Sequence, residues 1–191
     1  MRILIFGHAR SGSSVLQGYL SAKFSLRNLQ EPFTHNSDRE LLIRLNEEDQ
    51  FIAKITSGNF FFWNMSEIDL SIYDQVWVTE RANKTDVLAS VYISAHTGNY
   101  EKQEKQKFSL SNQFLLRWQK EMLYFYQFRQ MIRSARPDAK HVTYNEVMDL
   151  VKPTDFYDPS LMDYSQDCEN YANIKHQVDY IIGKLETEFG K

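Results

Sequence analysis

The pattern of hydrophobic and polar positions divides the chain into short, continuously apolar runs and longer segments in which apolar residues recur every three or four positions. The short runs are typical of parallel strands buried on both faces of a sheet, and the longer segments are typical of amphipathic helices. The predicted strands are residues 3–6, 51–56, 75–80 and 141–144, with a further short strand and a turn within 25–33. This alternation predicts an α/β fold with three layers, in which helices flank a central, mostly parallel sheet and ligands bind at the carboxyl ends of the strands.

The helical pattern appears in six segments between and after these strands. They begin after Gly12, at about residue 37, at about Asp86, at 111, at 147 and at Tyr171. The longest, 111–135, is expected to bury one apolar face made of Leu115, Trp118, Met122, Tyr126 and Ile132. Residues 99–113 are highly polar, which predicts a solvated loop, with a lid over the site as the alternative.

Two further local features carry structural predictions. Lys54 stands in the middle of a predicted strand, and a lysine there must lie at an edge of the sheet, our first choice, or point toward an anion. The aromatic run 60–63 is expected to be part of the core or the wall of a pocket.

Composition and charge restrict the class of protein. The chain of 191 residues, with 42% hydrophobic and 25% charged residues, fits one globular domain covering 1–191. Its net charge of −3 argues against a nucleic-acid partner that is bound through a broad basic surface. Cys168 is the only cysteine, which excludes an internal disulfide and suits a reducing compartment. The apolar N-terminal run is too short for a membrane span, so we expect a cytoplasmic protein.

The candidate chemistry begins in the turn Gly7-His-Ala-Arg-Ser-Gly-Ser-Ser14, between the first predicted strand and helix. Its glycines have the spacing of a phosphate-binding loop, in which backbone N–H groups at a helix N-terminus converge on an anion. Ser14 occupies the motif's Ser/Thr position, but Ser13 replaces the lysine, and Arg10 supplies the positive charge instead. We expect an anion site with an altered arrangement of charge; the alternative is a plain strand-to-helix turn.

Four segments, in matching order over about residues 1–150, resemble motifs of the sulfotransferase family. Residues 7–14 resemble its 5′-phosphosulfate loop. Residues 78–90 resemble its 3′-phosphate motif, in which an Arg leaves a buried strand and a Ser follows in the next helix. The turn 30–33 resembles the Glu-containing turn of bacterial-type and tyrosylprotein sulfotransferases, and 142–146 resembles a strand-end Tyr-Glu motif near the adenine. The resemblance implies that family's P-loop NTPase-like fold.

The resemblance also implies a cosubstrate, 3′-phosphoadenosine 5′-phosphosulfate (PAPS), and assigns residues to both of its ends. The 5′ end would be bound by Arg10, Ser11, Gly12, Ser13 and Ser14. Arg10 would stabilise the charge that grows on the leaving phosphate. Arg81 and Ser90 would bind the 3′ phosphate, and Tyr144 would border the adenine. Because the spacing from Arg81 to Ser90 is one residue longer than is usual in the family, Lys84 is an alternative source of charge.

The acceptor, a sugar or tyrosine-type hydroxyl, needs a base in line with the sulfur atom. The resemblance places this base at Glu31, for which the alternative is a surface carboxylate beside a proline. His35 and His96 are weaker candidates, and His8 is expected to make local hydrogen bonds. The transferred group carries less negative charge than a phosphoryl group, so no metal is expected.

Two other functions are compatible with the same segments. A P-loop nucleotide kinase or NTPase would explain the glycines and could use Glu80 as its strand-end carboxylate. The missing lysine counts against that function, because this residue contacts the β and γ phosphates. A binding module that holds a nucleotide without turnover is the second alternative.

Overall fold

The computed structural model describes residues 1–33, 50–97, 107–151, 165 and 167–190. The predicted helix that begins at about residue 37, the candidate His35 and most of the polar segment 99–113 lie outside the described residues. Of that polar segment, Phe108 is described, and it forms an isolated parallel bridge with Cys168.

Five parallel strands form one sheet in the order β2-β3-β1-β4-β5. The strands are β1 Arg2–Gly7, β2 Arg27–Asn28, β3 Phe51–Thr56, β4 Gln75–Glu80 and β5 Lys140–Thr143. β1 lies in the middle, and its residues 3–6 are fully buried because the sheet is covered on both faces. The prediction of a three-layer α/β fold around a parallel sheet is confirmed.

Five helices accompany the described strands. They are α1 Ser13–Phe24, α2 Lys84–Thr97, α3 Asn112–Ala135, α4 Tyr144–Val151 and α5 Tyr171–Phe189. The β3–β4 connection contains short 3-10 turns at Ser57–Phe61, Met65–Glu67 and Leu70–Ile72. The Ser111 side chain caps α3 by accepting a hydrogen bond from the backbone N–H of Phe114. No helix in the described part of the chain is both long and apolar enough to cross a bilayer.

Each face of the sheet has its own buried cluster. On one face, Ile3 and Ile5 of β1 pack with Leu16 and Leu20 of α1 and with Val147 of α4. The opposite face carries the larger cluster, to which α3 contributes four buried aromatic rings. All five apolar residues predicted for the inner face of α3 are buried there. The core interpretation of the aromatic run 60–63 is confirmed for its first and last residues, Phe60 and Trp63, which are buried, whereas Phe62 is exposed.

The strand order reverses at β1, the central strand of the sheet. The chain passes from β1 to β2 and β3 on one side, and then crosses to β4 and β5 on the other side. In parallel α/β sheets, a crevice opens outside the carboxyl ends of the strands where the order reverses in this way. The turn between β1 and α1, residues 7–14, lies at this point, and we call it the glycine loop.

Lys54 corrects one prediction from the sequence. β3 pairs with β1 on one side and with β2 on the other, and the Lys54 backbone N–H donates to the carbonyl of Gln30 at 2.9 Å. The predicted edge position is therefore wrong. The side chain is buried and points toward polar groups near the carboxyl ends of the strands, in agreement with the alternative that an anion attracts it.

Candidate functional site

The glycine loop has a backbone that only certain residues allow. Gly12 has φ of 86°, a left-handed conformation that favours glycine, and an added Cβ would lie 3.2 Å from the Tyr144 ring. Gly7 has no room for a side chain, because a Cβ there would collide with the hydroxyl oxygens of Thr79 and Ser11. Steric constraints thus require glycine at both positions of the motif: Gly12 permits the turn, and Gly7 permits close contact with β4.

The loop is fixed to β4 through a buried pair of hydroxyl groups. Ser11 and Thr79 are both fully buried, and their oxygens lie 2.7 Å apart in a hydrogen bond. The Ser11 hydroxyl therefore faces the protein interior. The anion contact predicted for Ser11 involves its backbone N–H and stays a prediction. Ser13 is buried and Ser14 is exposed at the start of α1.

Arg10 is held in a defined orientation by α2. Its backbone is left-handed, with φ of 63°, and its Nε donates to the Ser90 hydroxyl at 2.9 Å. Ser90 is fully buried. The structure thus joins Ser90 to Arg10, whereas the sequence grouped Ser90 with Arg81. This hydrogen bond couples the charge of the glycine loop to the helix that follows β4.

Arg81 lies at the mouth of the same loop. Its guanidinium stacks over the Tyr144 ring, 4.5 Å from the ring centroid, and this ring faces Gly12. The backbone N–H of Arg81 also donates to Nε2 of His8 at 3.1 Å. Tyr144, predicted at the end of a strand, instead begins α4. The two turns that were predicted to bind opposite ends of one cosubstrate are therefore in direct contact.

From the sequence, Lys84 was an alternative to Arg81 for binding the 3′ phosphate, but in the structure Lys84 is engaged with other groups. It is buried, and its ammonium donates to the Glu80 carboxylate at 2.8 Å and lies 3.2 Å from Nε2 of His8. Arg129 of α3 donates to the other oxygen of Glu80 at 2.7 Å. Lys84 thus belongs to an ion cluster, Glu80–Lys84–Arg129, beneath the loop.

The charges of this cluster set the protonation states around it. Burial alone would raise the pKa of Glu80, but Lys84 and Arg129 outweigh burial and hold this pKa below its ordinary value. Burial lowers the pKa of Lys84, although the Glu80 carboxylate opposes the shift. Burial and then the Lys84 charge lower the pKa of His8 well below its ordinary value. His8 is accordingly neutral, with local hydrogen bonds as the sequence suggested.

Lys54 and Glu31 form an ion pair against the exposed start of α1. The Lys54 ammonium lies 2.5 Å from the Glu31 carboxylate and donates to the Ser14 hydroxyl at 2.5 Å. Ser14 is the residue whose counterpart in P-loop NTPases contacts a magnesium ion. In this chain the hydroxyl receives a protein ammonium group. The proton-accepting role predicted for Glu31 stays a prediction, and its carboxylate is engaged with a cation.

Glu121 is a site residue that the sequence analysis did not find. It projects from α3 to the glycine loop, where its Oε1 accepts hydrogen bonds from the Ser57 hydroxyl at 3.0 Å and from the Ala9 N–H at 3.5 Å. Burial raises the pKa of its carboxyl group above the ordinary value. The only signal in the sequence is one acidic position adjoining an apolar stripe, beside Met122.

The remaining predicted base, His96, is not part of this constellation. It is exposed in the last turn of α2, about 18 Å along the helix from Lys84. Its Nδ1 lies 2.8 Å from the Tyr92 carbonyl, and its ring packs on the Tyr92 ring.

The assembled site brings together cationic and hydroxyl groups at one edge of the sheet. Arg10 belongs to the glycine loop, Lys54 bonds to it, and Arg81 reaches it through the Tyr144 ring. Such a site is suited to polyanionic ligands and to stabilising negative charge that develops during a transfer reaction. Within the described residues, no three His, Cys, Asp or Glu side chains cluster closely enough to hold a metal ion.

Comparison of the sequence with models of protein families gives no match, and comparison with curated proteins gives none either.

Proposed function

We propose that the protein is a PAPS-dependent sulfotransferase that moves a sulfuryl group to an acceptor hydroxyl. The observation that carries the proposal is the contact between the Lys54 ammonium and the Ser14 hydroxyl, 2.5 Å apart, beside a loop that contains Arg10 but no lysine. Protein cations thereby occupy the surroundings in which a P-loop NTPase places a lysine and a magnesium ion. That arrangement suits a sulfuryl group, which carries less charge than a phosphoryl group.

The 5′ phosphate of the cosubstrate would bind at the N-terminus of α1. Backbone N–H groups of residues 11–14 begin this helix, where its dipole favours an anion. Arg10, oriented by Ser90, would stabilise the negative charge that develops on the departing phosphate oxygen. The guanidinium does not serve as an acid, since it keeps its proton in proteins.

The 3′ phosphate would bind to Arg81. Arginine suits this role because its planar fork forms two parallel hydrogen bonds with phosphate oxygens. The stacking of Arg81 on Tyr144 holds the fork beside the glycine loop, and the same ring offers an aromatic surface next to the adenine. Ser90 is assigned to Arg10 instead of to this phosphate.

Transfer would proceed by in-line displacement at sulfur. The acceptor oxygen forms a new bond to sulfur while the bond from sulfur to the bridging oxygen breaks, and the electron pair leaves on the 5′ phosphate. Lys54 would neutralise the transferring group, and Glu31 would hold Lys54 in position through the 2.5 Å ion pair. Glu31 would take the acceptor proton only by giving up that cation.

The test is a transfer assay with PAPS labelled in its sulfuryl group. The acceptors are p-nitrophenol, tyrosine methyl ester, N-acetylglucosamine and water, each in the presence of EDTA or magnesium. We expect labelled product, or labelled sulfate from water, in both conditions, and a rate lower by about 10²-fold or more with Arg10→Ala. Absence of label from every product, together with magnesium-dependent hydrolysis of ATP, would favour the kinase or NTPase alternative.

A further inference from the structure

The two carboxylate oxygens of Glu121 differ in their hydrogen bonds to the described part of the chain. Its Oε1 accepts from Ser57 and from the backbone of Ala9, the residue before Arg10. Over the described ranges 1–33, 50–97, 107–151 and 167–190, its Oε2 makes no hydrogen bond and neither oxygen makes an ion pair. The residue is half-buried rather than sealed in the core. The second oxygen is thus available to a ligand at the rim of the loop.

The surroundings of Glu121 favour its protonated form more than those of an exposed glutamate. Burial is the largest influence and raises the pKa of the carboxyl group. The Ser57 hydroxyl, the Ala9 N–H and the charge of Arg117, one turn earlier on α3, act in the opposite direction and do not cancel it. A carboxyl group with a raised pKa that is hydrogen-bonded to a candidate binding loop has the properties expected of a general base or acid.

Glu31 differs from Glu121 in its contacts with the protein. Its carboxylate lies 2.5 Å from the Lys54 ammonium, and taking up a proton would break that ion pair. Glu121 has no such cation to lose among the residues that the structure describes. Of the two carboxyl groups at the loop, Glu121 is therefore the better placed to exchange a proton with a ligand.

We propose that Glu121 is the catalytic base that receives the proton of the acceptor hydroxyl, and that Glu31 is a positioning residue for Lys54. This inference rests on the proposed function. The acceptor O–H donates to Oε2 of Glu121 and transfers its proton there as the oxygen bonds to sulfur. The bond between sulfur and the bridging oxygen breaks, and 3′-phosphoadenosine 5′-phosphate (PAP) leaves with the electron pair. Ser57 and Ala9 hold the other oxygen and aim the carboxylate at the acceptor.

The test compares Glu121→Gln with Glu31→Gln and with Glu188→Gln, an exposed glutamate near the end of α5. Glutamine keeps the carbonyl oxygen that accepts from Ser57 and Ala9 but removes the capacity to take a proton. We expect Glu121→Gln to lower kcat by about 10²-fold or more, with PAP affinity and thermal unfolding unchanged. The assay uses whichever acceptor of the panel the wild-type protein turns over best, water included.

The pH dependence separates a base from a structural carboxyl group. A base works when it is deprotonated, so wild-type kcat/KM should fall as the pH drops through the raised pKa of Glu121. Glu121→Gln should lack this acidic limb, whereas Glu31→Gln should keep it even if its kcat is lower. Wild-type kcat and an unchanged acidic limb in Glu121→Gln would overturn the inference alone. Failure of the wild-type protein to bind PAP or to transfer sulfuryl groups would overturn the proposed function itself.

Discussion

Arg10 combines an uncommon backbone conformation with a defined side-chain contact. A non-glycine residue with φ of 63° is unusual, and such residues concentrate at functional sites where the surrounding structure enforces them. Here the Ser90 hydroxyl accepts from the side chain at 2.9 Å, and Gly12, two residues later, is also left-handed. The backbone conformation and the contact together aim a fixed positive charge along the loop.

Replacement of Arg10 by alanine should lower sulfuryl-transfer kcat by about 10²-fold or more, the usual result of losing one donor to a developing anion. Arg10→Lys keeps the charge and the backbone preference but loses the planar fork, and it should recover only part of the rate. Single-turnover kinetics with saturating PAPS measure this effect apart from binding. Arg27→Ala, at an exposed position of β2, is the control. Wild-type rates in both Arg10 variants would remove Arg10 from the mechanism.

Individual contacts were harder to predict from the sequence than the motif that contains them. The glycine spacing and the serines of the loop were visible in the sequence, and so was the charge of Arg10. The pairing of Arg10 with Ser90 joins positions 80 residues apart, and no local pattern encodes such a contact. Glu121 was missed because it adjoins the apolar stripe of α3, and its contact with the glycine loop depends on how close α3 comes to Ala9.

The Glu80 ion cluster fastens three elements to each other beneath the loop. Glu80 ends β4, Lys84 begins α2 and Arg129 belongs to α3, and both cations are buried. A buried charge without a partner is costly, so each member depends on the others. The cluster also supports Arg81, because His8 contacts both the Lys84 ammonium and the Arg81 backbone.

Glu80→Gln should therefore destabilise the fold by about 3 kcal/mol at neutral pH, since it leaves two buried cations without a carboxylate. The pKa of Glu80 is lower in the folded protein than its ordinary value. Its ionised form consequently stabilises the fold above the ordinary pKa, and that contribution is lost as the pH falls through the lowered pKa. Urea unfolding at several pH values should show the difference between wild type and Glu80→Gln shrinking toward acid. A difference that stays the same at every pH would contradict this account.

The strands and helices that are long or deeply buried could be predicted from the pattern of apolar residues in the sequence. The predicted elements include β1, β3, β4, α3 and α5. Burial of a strand or helix on one or both sides requires apolar residues at a regular spacing, and this spacing is visible in the sequence. Lys54 was misplaced because strand order is not written in the sequence. β2 is only two residues long, and its pairing with β3 is what moves Lys54 away from the edge.

The whole molecule has a net charge of −3, yet it gathers cations at one edge of its sheet. Arg10, Lys54 and Arg81 all contact or flank the glycine loop, at the point where the strand order reverses. A local positive field on a net-negative protein directs small anions to one site while leaving the rest of the surface unattractive to polyanions. The topology thus brings three cationic residues, distant in the sequence, to one edge of the sheet, where we propose that the anionic cosubstrate binds.

The most direct measurement of the central claim is calorimetric titration with PAP, adenosine 5′-phosphate and ATP, each with magnesium or with EDTA. We predict that PAP binds most tightly and independently of magnesium. Arg81→Ala should weaken PAP binding by about 10-fold or more, the loss of a charged hydrogen-bonding contact, and should leave binding of adenosine 5′-phosphate unchanged. Magnesium-dependent ATP binding that is tighter than PAP binding, or PAP affinity that is unaffected by Arg81→Ala, would contradict a site built to hold both phosphates of one nucleotide.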